Sequence, residues 1–292
     1  MLIIEKLKFY YKHKWLPRRN KRLAENIHNS APVLTDDASK AEIHVLTSSK
    51  DYLMLLWALK SFYHVSGKRY PLVIHDDGSL GDAEADVLMK HFPNARLIKK
   101  AEADAEIKKA LVNYPKSLEF RFSNHLAPKV FDFFHFASRE RILLMDSDVL
   151  FFEKPEVLIN RIEDADYLKN SVNADVADAY TIDPAIATEQ LGVIIPSRFN
   201  SGLGLIHRQS LAPGVVEDLL ALPGIIGHFW RIEQTIYMLC SAKWGCELLP
   251  QEYNVHLGSG IKGPVRHYVG AVRQQFYDEG IKTLLNRLTR RS

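Results

Sequence analysis

The sequence predicts an α/β fold built around a parallel-stranded sheet. Three observations point there. From Ile43 onward short apolar runs alternate with segments patterned as helices. One of those runs, Arg141–Met145, is apolar enough to be a central strand. The composition is that of an ordinary globular chain, with 47% hydrophobic and 25% charged residues among 292 and no internal repeat.

Residues 1–40 read as a basic N-terminal arm. Ile4, Leu7, Tyr11 and Trp15 recur at helical spacing among Lys and Arg, and Pro17 ends the pattern. Such a helix either lies in a membrane interface or packs on the body with its lysines in solvent. Ile43–Thr47 is a first strand, and Tyr52–Tyr63 a helix with Leu55, Leu56, Leu59, Phe62 and Tyr63 on its apolar side. Pro71–His75 is a second strand, closed by the turn residues Asp76-Asp77-Gly78-Ser79. Leu80–Phe92 is a helix and Arg96–Lys99 a third strand. Strand-helix-strand at this spacing implies right-handed crossovers, which place a ligand at the carboxyl ends of the strands.

Lys129–Ala137 is a further helix, followed by the buried strand Arg141–Met145. Residues 161–190 are polar and read as loop and short helix. Phe199–His207 is a strand, Pro213–Leu222 and Trp230–Ser241 are helices, and Pro250–Gly270 is rich in turn residues. Ile281, Leu284, Leu285 and Leu288 line one face of a basic C-terminal helix. The expected division is an arm over 1–40, a catalytic domain over 41–275 (halves 41–160 and 161–275), and the amphipathic helix over 276–292.

The formal net charge of +3 conceals an asymmetry. Residues 1–22 carry +7 and residues 281–292 carry +4, leaving −8 for the remainder. Basic ends suit an anionic surface, and peripheral contact with an anionic membrane through 1–22 and 281–292 is the expectation. RNA binding would need aromatics interleaved on a sheet face, which the sequence lacks, so no nucleic-acid partner is expected. Cys240 and Cys246 suit free thiols in a reducing compartment better than a bridge across a short loop. The start does not read as a signal peptide, because Glu5 and Lys6 break the apolar run, and no stretch approaches the length of a spanning helix. A cytoplasmic location, soluble or peripheral, is expected.

The chemistry concentrates at Asp146-Ser147-Asp148. Two carboxylates directly after a buried strand repel each other and are costly to bury. A divalent cation resolves both problems, and oxygen ligands suit Mn²⁺ or Mg²⁺. Such an ion bridges protein carboxylates to a substrate phosphate. The plainer reading is a pair of turn carboxylates. His267 completes an oxygen-oxygen-nitrogen set as a neutral imidazole, although a lone histidine is more often structural. Gly270 lets backbone approach phosphates, and Arg273 supplies charge. Thr47 and Ser48 at a strand end suit hydrogen bonds to a nucleobase or ribose, or simply a turn and helix cap, and Tyr52 could stack on the base. Asp76 and Asp77 fit a turn better than a donor contact.

The segment Arg141–Pro155, RILLMDSDVLFFEKP, resembles the metal-binding DxD strand of nucleotide-sugar glycosyltransferases with the GT-A fold. It is most similar to the family 8 type, which includes glycogenin and bacterial lipopolysaccharide sugar transferases. Five further blocks follow that family's order: VLTSSKDY at Val45–Tyr52, Lys129, FNSG at Phe199–Gly202, Glu233-Gln234, and RHYVGAVR at Arg266–Arg273. Three features depart from the pattern: Glu233 stands for the family's aspartate, Arg273 for its lysine, and the tryptophan that often follows is missing. The resemblance implies a GT-A, Rossmann-like fold with a mixed central sheet. It assigns Asp146, Asp148 and His267 to the metal. Thr47, Ser48, Tyr52, Lys129, Ser147, Gly270 and Arg273 fall to the nucleotide sugar, and Asn200, Glu233 and Gln234 to the sugar being transferred. Arg121, Asn124 and His125 would line the donor pocket.

The expected activity is metal-dependent transfer of a sugar from a nucleotide-sugar donor, UDP-linked, to a glycan or lipid-linked glycan, with retention. Glu233 is the nucleophile or stabilising carboxylate in that reading. The alternatives are a non-catalytic GT-A-like protein that binds nucleotide or glycan, and a sugar-nucleotide hydrolase or nucleotidyltransferase. The last would call for a Gly-rich basic loop near the first strand, which is missing.

Overall fold

The computed structural model describes residues 16–289, with side chains from Arg19 onward. The helix expected around Ile4, Leu7, Tyr11 and Trp15 lies outside the described residues. Among the described residues there are eight strands: β1 (Ala41–Thr47), β2 (Leu72–Asp76), β3 (Arg96–Ile98), β4 (Arg141–Met145), β5 (Val149–Phe151), β6 (Ser171–Ala174), β7 (Phe199–His207) and β8 (Val265–His267). Six of them form one sheet in the order β3-β2-β1-β4-β7-β6. β3, β2, β1 and β4 run parallel, whereas β7 pairs antiparallel with β4 and β6 antiparallel with β7. The sheet is therefore mixed. β5 and β8 form a separate antiparallel pair.

The helices are α1 (Leu16–Leu23), α2 (Tyr52–Ser66), α3 (Asp82–His91), α4 (Lys100–Ala110), α5 (Pro115–Ser123), α6 (Pro128–Phe136), α7 (Glu156–Glu163), α8 (Pro184–Leu191), α9 (Pro213–Leu220), α10 (Ile232–Trp244), α11 (Arg273–Gln275) and α12 (Lys282–Leu288). α5, α6, α8 and α9 each open on proline, whose fixed φ and missing N–H suit the first helical turn. α2 stops at Gly67, whose φ of 67° is the left-handed conformation that a helix C-terminus favours and glycine adopts without strain.

Alternation along β4 explains why the sheet is covered on both faces. Leu143 and Met145 point into one core with Trp57, Leu59 and Phe62 of α2. Ile142 and Leu144 point into another with Phe133 of α6, Val216 of α9 and Ile236 of α10. Glu42 and His44 of β1 are buried side by side, with His44 Nε2 3.2 Å from Glu42 Oε1. Glu42 accepts the backbone N–H of Ser138 and Arg139, and His44 Nδ1 lies 3.0 Å from His75 Nε2.

Most predicted elements are present within a few residues of their expected ends. Three strands and five helices were not anticipated: among the helices, α1 runs on from Leu16 through Pro17, where the pattern was expected to end, and α11 spans only three residues. β6, SVNA, lies in the stretch read as polar loop. It is buried against β7, and Asn170 just before it donates to Ser210 and Ser241 at 2.9 and 3.0 Å and accepts the N–H of His207. β5 and β8 are three residues each, too short to show a period. α4, α5 and α7 fill segments to which no element was given.

The C-terminal stripe is present but faces inward. Ile281 and Leu284 are fully buried, and Leu285 and Leu288 pack against the same core as α2. An apolar face so used is not free to enter a membrane. Lys282 and Arg287 stay exposed, and the guanidinium of Arg287 donates to Phe152 O at 3.0 Å. Asn20 of α1 donates to Asp278 at 2.6 Å, tying α1 to the helical turn Phe276–Ile281 that leads into α12. Among the described residues, no helix is long and apolar enough to cross a membrane. Both cysteines are free thiols.

Candidate active site

The sheet's direction of winding reverses between β1 and β4, since β2 lies to one side of β1 and β4 to the other. A crevice at the carboxyl ends of strands is expected at such a point. A cleft of about 480 Å³ opens there, lined by Asp146, Ser147, Asp148, Lys129, Asn200, Glu233, Gln234, His267, Gly270 and Arg273, among others.

Two ladders build its centre. In the main sheet Met145 pairs with Leu203, and Asp146 N donates to Gly202 O at 2.8 Å. In the small ladder Val149 pairs with His267, and Tyr268 N donates to Asp148 O at 2.9 Å. The turn between β4 and β5 thus carries both aspartates to the same point where β8 delivers the histidine. One ligand atom from each of Asp146, Asp148 and His267 lies within 4.8 Å of the others. His267 Nε2 is 3.0 Å from Asp148 Oδ1 and 3.9 Å from Asp146 Oδ2. Nδ1 lies 3.1 Å from Asn200 Oδ1, so a proton on Nδ1 leaves the Nε2 lone pair facing the carboxylates.

These residues fit a divalent cation. Asp148 Oδ1 is buried with no hydrogen-bond donor aligned on it. Two carboxylates and one imidazole are a donor set for Mn²⁺ and similar ions. Burial alone would raise the Asp148 pKa, but the His267 imidazole and the Arg273 guanidinium outweigh it and hold the group below the usual carboxylate range. Burial alone would lower that of His267, but Asp148, Asp146 and Asp175 outweigh it and keep it above the usual value.

Gly202 makes the cluster sterically feasible. A Cβ there would overlap His267 Cε1 and stand 2.7 Å from His267 Nδ1 and 2.9 Å from Asp146 Oδ2. At Gly270 a Cβ would meet nothing within 4 Å.

Lys129 and Glu233 form the other half of the site. Both are buried, and Lys129 Nζ lies 2.9 Å from Asp146 Oδ1 and 3.1 Å from Glu233 Oε1. Ser201 Oγ donates to Glu233 Oε2 at 3.0 Å. Burial raises the Glu233 pKa, and Lys129 recovers only part of that rise because Asp146 adds to it. Lys129 is itself held protonated by Asp146 and Glu233 against the effect of burial. Asn200 is also committed: Oδ1 accepts Gly202 N at 3.0 Å, and Nδ2 donates to Asp175 at 2.9 Å. Its Oδ1 also lies 3.1 Å from His267 Nδ1, and the residue lines the cleft beside the cluster. Arg273 is partly exposed and donates to Asp51 at 2.6 Å.

Other expected residues lie elsewhere. Tyr52 faces a separate cavity of about 290 Å³ with His28, Glu84, Val87, Lys90 and His91, so the structure does not bring it into the cleft. Thr47 is buried, and its neighbour Ser48 accepts the backbone N–H of Asp51 and Tyr52, but neither lines the cleft. Asp76 and Asp77 bond the N–H groups of Gly78 and Ser79 and make a turn. Arg121 is buried against Asp132 at 2.5 Å, Asn124 donates to Phe229 O, and His125 packs on Phe229 and Trp230. Asp51, Asp175 and Trp230 line the cleft unanticipated. Asp51 lay within the VLTSSKDY block; no sequence signal marked the other two.

No protein-family model matches this sequence, and no curated protein does. Solved structures share the fold. The galactosyltransferase LgtC, in complex with donor and acceptor sugar analogs, superposes at TM-score 0.54 with 14% identity over 86% of this chain and 97% of its own. Mouse xyloside xylosyltransferase 1 gives TM-score 0.53 with 11% identity over 82% of this chain and 99% of its own. The bifunctional glycosyltransferase WbbM gives 0.52 with 14% identity over 87% of this chain, which spans 51% of that protein. The fold of this chain is that of GT-A glycosyltransferases.

Proposed function

We propose that the protein is a metal-dependent glycosyltransferase that takes a sugar from a nucleotide-sugar donor, UDP-linked, with retention at the anomeric carbon. The observation that carries the reading is the convergence of Asp146, Asp148 and His267 at the carboxyl end of β4, in the cleft that Arg273 also lines. A bound Mn²⁺ or Mg²⁺ would polarise the donor diphosphate and offset the charge that grows on it as the glycosidic bond breaks.

The chain's own residues do the rest. Arg273 has N–H groups beyond the one given to Asp51, and a guanidinium matches a phosphate in a two-pronged contact. Gly270 adds no side chain to the floor of the cleft. Glu233 and Gln234 lie on the sugar side, and Glu233 is the carboxylate placed to stabilise positive charge at the anomeric carbon. A larger cleft of about 720 Å³ shares Asp175 with the donor cleft and supports a glycan acceptor. Asn254 and His256 are among the polar residues that line that region. Contact with anionic membrane would rest on exposed basic groups such as Lys282 and Arg287, since the apolar stripe behind them is in the core.

The test is nucleotide release from a panel of UDP- and GDP-sugars with Mn²⁺. Turnover with at least one donor, lost in Asp148→Asn together with metal-dependent nucleotide binding, is the expected result. Nucleotide binding without turnover on any donor or acceptor would favour a non-catalytic binding protein instead.

A further inference from the structure

We infer that Lys129 is a positioning residue that braces Asp146 against Glu233 and does not touch the donor diphosphate. The inference rests on the glycosyltransferase reading and gives one of its charges a different task from the one the sequence suggests.

Three protein oxygens surround the ammonium: it donates to Ser201 O at 2.9 Å, and it pairs by charge with Asp146 Oδ1 at 2.9 Å and Glu233 Oε1 at 3.1 Å. Lys129 is 5% exposed, and its own carbonyl accepts the hydroxyl of Tyr237 on α10. Both ends of the residue are therefore tied to elements that build the site. To reach a phosphate, the side chain would have to leave two carboxylates without their shared cation, one of them fully buried. Arg273 has the opposite character. It is 40% exposed at the side chain and spends one Nη on Asp51, so it can turn toward an anion without stranding a buried charge.

Bracing has a chemical purpose. Asp146 faces the cation and Glu233 faces the sugar, and the two repel across a short gap. One ammonium between them holds Asp146 Oδ1, leaves Oδ2 toward His267, and fixes Glu233 beside Ser201. The position of the metal and that of the sugar-side carboxylate are thereby set by the same group. Loss of that group should disturb the chemical step while the diphosphate site keeps its own contacts.

The experiment compares wild type, Lys129→Arg, Arg273→Ala and the double variant Lys129→Met/Glu233→Gln. Calorimetry at saturating Mn²⁺ gives the affinity for whichever of UDP and GDP the wild type binds more tightly, and nucleotide release gives turnover. Lys129→Arg is expected to hold nucleotide within about threefold of wild type while its turnover falls at least about thirtyfold. A planar guanidinium cannot meet three oxygens that converge on one point. Arg273→Ala is expected to lose affinity by about tenfold or more, the scale of a charged hydrogen bond. The double variant removes both members of the buried pair, so it reports nucleotide affinity even if Lys129→Arg fails to fold. It should match wild type within about threefold. An affinity loss in it equal to that of Arg273→Ala would overturn the inference, and so would full turnover in Lys129→Arg. If the wild type binds neither nucleotide with Mn²⁺, the glycosyltransferase reading falls, and this inference with it.

Discussion

Gly202 is the residue at which backbone economy and chemistry meet. It follows Ser201 on β7 and lies directly beneath the imidazole of His267. Any side chain there would push the imidazole away from the two aspartates. Gly202→Ala is therefore expected to keep its circular dichroism spectrum yet lose at least about tenfold in Mn²⁺ affinity, the scale of disturbing a ligand's support. Unchanged affinity by electron paramagnetic resonance titration would mean that β8 yields to the methyl group. Gly270, which the sequence offers as the residue close to phosphate, has open space around it, and alanine there should be tolerated by the fold.

At the scale of elements, β1 is held to the start of β4 by Glu42. Its carboxylate accepts the N–H groups of Ser138 and Arg139 and the hydroxyl of Ser138. Burial would raise its pKa, but His44 and these donors outweigh burial and bring it down to about 2 from 4.5. A depressed carboxylate contributes stability above its unfolded pKa and loses it as pH falls toward the folded one. Glu42→Gln should cost about 1–2 kcal/mol at pH 7, allowing for screening. The gap between variant and wild type should narrow from pH 4.5 downward, as urea midpoints at pH 7, 5 and 3.5 would reveal. A gap that stays constant would remove the charge from the explanation. α12 gives the second element-scale expectation. Leu284 is fully buried, so Leu284→Ala should cost about 2–5 kcal/mol of stability and leave binding to anionic vesicles unaltered. Weaker vesicle binding without a lower melting temperature would contradict the inward packing of that stripe.

For the whole molecule, the site is a meeting of two ladders whose members come from distant parts of the chain. Asp146 and His267 are brought together only when β4, β7, β5 and β8 are all in register. Ligand binding and global stability are thereby linked. Mn²⁺ with the preferred nucleotide diphosphate at about 100 times its dissociation constant should add about 2.7 kcal/mol and raise the melting temperature by about 5 °C or more. Asp148→Asn should show no such rise, and a rise equal to that of wild type would place the metal elsewhere.

The strand-helix rhythm from Ile43 to Phe92 and the apolar run of β4 were legible because apolar side chains repeat at the period of each element. So was the pairing of carboxylates after β4, because a doubled charge at the end of a buried strand demands a partner. β6, β5 and β8 escaped notice for the opposite reason: three- and four-residue strands carry no period, and Asn170 beside β6 is tolerated inside only because Ser210 and Ser241 satisfy it. The inward turn of the C-terminal stripe was equally hidden, since an amphipathic helix looks alike whether its apolar face meets a core or a membrane. The sequence by itself determined that the chain is an α/β protein with a pair of aspartates at a strand end, a donor set that suits a divalent cation. Only the tertiary structure decided that His267 joins that motif, that Tyr52 stands apart from it, and that the ammonium of Lys129 is already taken. Which side chains share a point in space depends on sheet order and strand register, and those are set by long-range pairing that no local pattern encodes.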